Sequence, residues 1–265
     1  MVCDVPRHPA ALRPPRGVPV GAIRPATGEL DLEHLASLID ERTKLVCCTG
    51  ASNFFGTKNP LPAIRTLANS SGYSQPSGER RSYLLIDGAQ LVPGTFVDVQ
   101  ALDVDYLSFS FHKMLAPFGV GVLYAKEHLL QSSLPFLYGG DMIAEGRVSP
   151  DQVDYNALPW KFAAGTPNIL GTIVSAQALR ILIDLALTPR RATYFNTART
   201  IDRATVQAAM QRIADWNRTL TAHALERRLR PCLASRSTAR ATRRAAARWW
   251  RSTSPAATPC SWPKR

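Results

Sequence analysis

Apolar residues fall in short runs along the first half of the chain, and most of these runs end in polar side chains. Lys44–Cys48, Tyr83–Asp87, Asp105–Ser110 and Gly119–Ala125 have strand length and no helical period. Helical patterns interleave with them. Leu32, Leu35, Leu38 and Ile39 recur at helical spacing behind Asp31, which predicts a helix from Asp31 to about Glu41. Pro60 to Ala68 predicts a second helix, with its prolines confined to the first turn. Residues 69–82 are polar and rich in Ser and Gly, a surface loop. Residues 169–187 are helical and almost wholly apolar on one side, and 201–229 predict another long helix containing Trp216. Strands separated by helices and loops predict an α/β fold with an at least partly parallel sheet.

The two ends break this pattern. Residues 1–27 are rich in Pro and Arg with little periodicity. From Arg230 onward the single residue among Ile, Leu, Val, Met and Phe is Leu233, embedded in Arg, Ala, Ser, Thr and Pro with three Trp. Such a segment cannot bury enough apolar surface to offset its ordering entropy, so 230–265 is predicted to be disordered and dispensable for the fold. The net charge of +12 is largely located there. Residues 227–265 hold 11 of the 32 basic residues and no acid, leaving 21 basic against 20 acidic residues in 1–226. The part that folds is nearly neutral.

With 45% hydrophobic residues the chain has enough apolar material for a core. It has no run of 18 apolar residues and no apolar signal core at Met1–Pro9, so a cytoplasmic protein without a membrane partner is expected. The five cysteines, Cys3, Cys47, Cys48, Cys232 and Cys260, match neither a disulfide framework nor a zinc site, and no metal is expected. Cys47 and Cys48 read as small buried hydrophobes of a strand.

Candidate chemistry sits at two strand ends. Tyr83–Asp87 delivers Asp87 and, just beyond it, Gln90; Asp105–Ser110 delivers Ser110, His112 and Lys113. Open α/β sheets bind ligands at the carboxyl ends of their strands. A lysine, an acid and small polar groups converging there are what pyridoxal phosphate (PLP) chemistry requires. The lysine forms a Schiff base, the acid keeps the pyridine nitrogen protonated, and the polar groups hold phosphate. Each residue also has a plainer reading. Lys113 alone could be a solvated lysine, Asp87 a cap, Ser110 and His112 partners of nearby backbone, and Asn53 and Thr166 turn or cap residues. Gly119-Val-Gly-Val opens a strand, unlike a dinucleotide loop, which opens a helix. His8, His34, His128 and His223 form no cluster.

The motifs Thr43-Lys-Leu-Val, Ser52-Asn53, Gly56-Thr57, Asn59-Pro60, Asp87-Gly-Ala-Gln90, Ser110-Phe-His-Lys113, Gly119-Val-Gly-Val, Gly139-Gly-Asp-Met-Ile143 and Gly165-Thr-Pro-Asn168 follow one another in an order that resembles the class V aminotransferase family, in its cysteine desulfurase-like branch. The resemblance covers about Gly28 to Leu187. It implies a fold-type I PLP-dependent transferase-like large domain, with a mostly parallel sheet and flanking helices. It implies that Lys113 carries the cofactor and moves the α-proton. Asp87 would pair with the ring nitrogen, Gln90 and Asn53 would bond the ring hydroxyl, and Ser110 and His112 would hold phosphate. Thr166 would reach the cofactor of a partner subunit in a homodimer. The expected substrate is an amino acid.

The same resemblance implies an N-terminal region with a stacking residue and a C-terminal small domain with a substrate-binding arginine, neither of which this chain shows. The expected organisation is therefore an irregular segment 1–27, an incomplete PLP-binding domain 28–187, the helical start of a small domain 188–229, and the basic tail 230–265. Two other functions compete: a catalytically impaired remnant that binds PLP weakly or not at all, and polyanion binding through the tail, where Arg and Trp could meet phosphates and bases. Nucleic acid is not the expected partner of the folded part.

Overall fold

The computed structural model describes residues 2–3, 18–117, 119–149, 153–188 and 201–229. The basic tail and most of segment 1–27 lie outside the described residues. Five strands form the main sheet: β1 (Val2–Cys3), β2 (Leu45–Thr49), β3 (Tyr83–Asp87), β4 (Tyr106–Ser110) and β5 (Gly121–Ala125), in that spatial order. β2, β3 and β4 run parallel, as the alternation with helices requires; β1 and β5 flank them antiparallel. Val2–Cys3, within the segment expected to be irregular, pairs with Val46 and Leu45. It occupies an edge of β2 that would otherwise present unpaired backbone groups.

Helices α1 (Leu32–Leu38) and α2 (Leu61–Ser70) cover one sheet face. Leu35 of α1 and Leu61, Ile64 and Ala68 of α2 are buried against Val46, Leu84, Ile86 and Leu107. The Asp31 carboxylate caps α1 by accepting from the Glu33 and His34 amides. That helix ends at Leu38, short of the predicted Glu41, because Ile39 is already extended (φ −93°, ψ 118°). α2 begins after Pro60 with Pro62 in its first turn, where a missing amide costs nothing.

A buried ion cluster ties the elements together. The Asp105 carboxylate is fully buried and meets Arg65 of α2 at 2.7 Å, Arg81 at 2.9 Å and Lys126 at 3.2 Å. It also accepts the Leu84 amide at 2.8 Å. Burial pushes its pKa up, but the bonds from Arg81, Leu84 and Arg65 outweigh that and hold it at about 2.

Beyond β5 come α3 (Glu127–Ser132), a hairpin of β6 (Ile143–Val148) and β7 (Val153–Tyr155), then α4 (Ile169–Leu187) and α5 (Arg203–Ala224). α4 matches the predicted range. Among the described residues it is the one helix long and apolar enough to cross a membrane by length and composition. One side of it is buried, where Leu182 meets Met114 and Met210 of α5 and the Ser175 hydroxyl donates to the Gly171 carbonyl at 2.8 Å, while Leu170, Ile173 and Leu185 are exposed. α5 begins at Arg203, capped by Asp202.

Candidate active site

The register of the parallel strands brings the two polar strand ends side by side. Thr49, Asp87 and Ser108 are paired across β2, β3 and β4, so they share one face, and alternation puts Ser110 on that face too. β3 stops at Asp87 while β4 runs on to Ser110 and turns, as a 3-10 helix over Phe111–Lys113, at the same carboxyl edge of the sheet. Gly88 makes the close approach possible. Its amide donates to the Ser108 carbonyl at 2.7 Å, and a Cβ there would lie 2.8 Å from Leu107. A larger residue at position 88 would push Asp87 away from β4.

Each predicted residue now has a place. Lys113 is exposed and its ammonium has no hydrogen bond or ion pair among the described residues. Asp87 is exposed; its Oδ1 accepts the Ala89 amide at 2.9 Å, so the capping role and a free Oδ2 coexist. Ser110 Oγ and His112 Nδ1 lie 2.6 Å apart, and Ser110 Oγ also donates to the Val120 carbonyl at 3.2 Å. The two residues thus form one polar unit, with part of Ser110 spent on backbone. Gln90 and Asn53 are exposed and line the same cleft. Thr166 lies in the turn before α4, outside the strand ends that carry the others, exposed and without a side-chain hydrogen bond among the described residues.

The loop that carries Asn53 is rigid at its base. Ser52 donates to the Thr57 carbonyl and accepts from the Phe54 and Phe55 amides. Asn59 is buried, donates from Nδ2 to the Thr49 carbonyl at 2.7 Å and accepts the Leu30 amide. Thr57 donates to the Gly28 carbonyl at 2.8 Å. These residues hold the loop shape and leave Asn53 and Lys58 facing the cleft, whose volume is about 720 Å³. Its opposite wall is α5, through Asn217, Arg218 and Thr221.

Lys58 and Arg218 are the cleft residues that sequence reasoning passed over. Lys58 stands between Gly56-Thr57 and Asn59-Pro60, so its position in a motif was a usable signal. Nothing local marked Arg218, which reaches the cleft because α5 packs against the 3-10 turn Val92–Gly94. The Lys58 ammonium donates to the Thr95 hydroxyl. Burial lowers the Lys58 pKa, and the nearby Arg218 charge lowers it further. Cys47 and Cys48 prove half-buried within β2. Burial, aided by Cys47 and Asp87, pushes the Cys48 thiol up to about 12, which favours the thiol over the thiolate at neutral pH.

Comparison with known proteins identifies the family. The family model described as aminotransferase class-V matches residues 10–231. A probable cysteine desulfurase of Halobacterium salinarum is 44% identical over 165 residues, covering 62% of this chain and 37% of its own length. A cysteine desulfurase of Escherichia coli is 44% identical over 160 residues, covering 60% of this chain and 37% of that one. Among solved structures, an apo cysteine desulfurase from Thermococcus onnurineus aligns with a TM-score of 0.58 and 27% identity, covering 76% of this chain and 42% of that one. The chain therefore spans little more than a third of the length of the curated relatives it matches.

Proposed function

This chain belongs to the class V aminotransferase family, and from that premise we propose that its sheet edge holds pyridoxal phosphate on Lys113 and acts on an amino acid in the manner of a cysteine desulfurase. One observation carries the proposal: an unpaired lysine ammonium stands at the carboxyl end of β4, one strand away from a carboxylate with a free oxygen at the end of β3. The donor set suits the cofactor chemically, since it offers an amine, a carboxylate, a hydroxyl–imidazole pair and two amides with no recorded partner among the described residues. Bound there, pyridoxal phosphate supplies an electron sink for breaking bonds at the substrate Cα.

The chain's own residues would divide the work. Lys113 Nζ would attach the cofactor and then take and return the α-proton. Asp87 would keep a proton on the ring nitrogen, since a neighbouring carboxylate favours the charged form. Gln90 and Asn53 would orient the ring hydroxyl, and the Ser110–His112 unit would bind phosphate. Thr166 would serve a second subunit's site in a cytoplasmic homodimer. Its position outside the strand ends that carry the other groups supports that assignment, and exposed apolar side chains elsewhere in the fold, with Phe136 90% and Leu134 74% exposed, leave surface for a second subunit.

Absorbance is the direct test. The full chain, incubated with pyridoxal phosphate and freed of excess, should retain a band at the edge of the visible range that borohydride bleaches. A colourless protein after the same treatment would overturn the proposal.

A further inference from the structure

The main sheet ends differently on its two sides. β1 covers the outer edge of β2, whereas β5, at the other end of the strand order, pairs only with β4 among the described residues. At either end of β5, the Phe111 amide donates to the Val120 carbonyl at 2.9 Å and the Lys126 amide to the Asp105 carbonyl at 3.1 Å. Bonded positions alternate along an antiparallel ladder. Val120, Val122, Tyr124 and Lys126 therefore turn their backbone groups toward β4, and Gly121, Leu123 and Ala125 turn theirs outward. Among the described residues no hydrogen-bond partner is recorded for those outward groups. The Leu123 side chain is 59% exposed, Gly121 is exposed as well, and a Cβ added to Gly121 would meet nothing.

Open edges are normally blunted by a lysine, a proline or a bulge. Gly121-Val-Leu-Tyr-Ala125 has none of these, and its register with β4 runs without a break. The segment is also complementary to itself. Laid antiparallel against a second copy about a two-fold axis at Leu123, it sets the two Leu123 side chains opposite each other on one sheet face. Gly121 then opposes Ala125 on either side, which leaves room for the leucines. On the other face Val122 opposes Tyr124 twice, an aromatic–β-branched pairing that favours association. No charge falls within the five residues, so no like charges meet.

We propose that β5 is an interface for a second copy of this chain, which continues the sheet across a two-fold axis by edge-to-edge pairing. The contact is isologous, so the same three residues supply donors and acceptors on both sides. It is separate from the surface that carries Thr166 and does not depend on the cofactor.

Amide hydrogen exchange of the full chain, followed by NMR, tests it without any substitution. The outward amides of Gly121 and Leu123 should exchange at least about 10-fold more slowly at high protein concentration than at low. A second measurement uses Leu123→Cys treated with a short bismaleimide. Peptide mapping should show residue 123 joined to residue 123, a link that only two chains can make. Circular dichroism checks that the variant folds, and the exchange experiment on the parent decides the matter if it does not. Exchange of Gly121 and Leu123 that is independent of concentration, whether fast or slow, would overturn the interface. So would a folded Leu123→Cys chain that forms no link between two residues 123, or one linked there to a different polypeptide.

Discussion

Asp105→Ala is expected to destabilise the fold by about 3–5 kcal/mol, a large share of what holds a domain together. The carboxylate is fully buried and neutralises Arg65, itself only 7% exposed, together with Arg81 and Lys126. It also satisfies the Leu84 amide inside the sheet. Removing it leaves Arg65, whose Nε already lacks a partner among the described residues, as a buried charge without a counter-ion. Breaking a buried pair in this way costs about 3–5 kcal/mol. Whole domains are stable by only about 5–15 kcal/mol. Urea unfolding at neutral pH measures the difference, and a loss under about 1 kcal/mol would show that the cluster is replaceable.

The pH dependence has a definite sign. The folded-state pKa of Asp105, about 2, lies below its ordinary value of 3.8. Its contribution is therefore complete above 3.8 and fades as pH falls through about 2. The gap in stability between the parent and Asp105→Ala should narrow over that window.

Asp87→Ala should have the opposite profile, with little effect on stability and a large one on chemistry. Asp87 is exposed, and its single recorded bond accepts the Ala89 amide, so the fold should lose about 1 kcal/mol. The ring nitrogen would lose the counter-charge that keeps it protonated, and with it the positive charge that would draw electrons from the substrate Cα. Removing a group that stabilises such charge lowers rates roughly 10²–10³-fold. Exchange of the L-alanine α-proton in heavy water, followed by NMR with pyridoxal phosphate present, gives the rate, and a melting curve gives the stability. Exchange at the parental rate would show that Asp87 is only the cap of the turn after β3.

Much of the fold was readable because hydrophobic period and strand ends are local properties. α4 was delimited by a helical pattern almost wholly apolar on one side, and β3 by five residues running into Asp87-Gly88. The hairpin of β6 and β7 was not anticipated. Ile143-Ala-Glu-Gly-Arg-Val148 carries a glycine and two charges and lacks the β-branched alternation that marks a strand, so its pairing comes from tertiary context. The predicted start of β5 at Gly119 moved to Gly121, where pairing with Ser110 begins. Within the site, Asp87 and Lys113 were legible because each ends an apolar run. The cleft cations were not, because Lys58 and Arg218 meet only when α5 folds back over the sheet edge, a juxtaposition with no local signature. The basic tail, readable in composition alone, lies outside the described residues.

The central claim is that Lys113 is the point of cofactor attachment. The most direct measurement is borohydride reduction of the full chain in the presence of pyridoxal phosphate, followed by digestion and peptide mass mapping. The pyridoxyl mass should appear on the peptide containing Lys113 and should vanish in Lys113→Ala, with Lys58 and the remaining lysines unmodified. Label on another lysine while Lys113 stays bare would contradict the account.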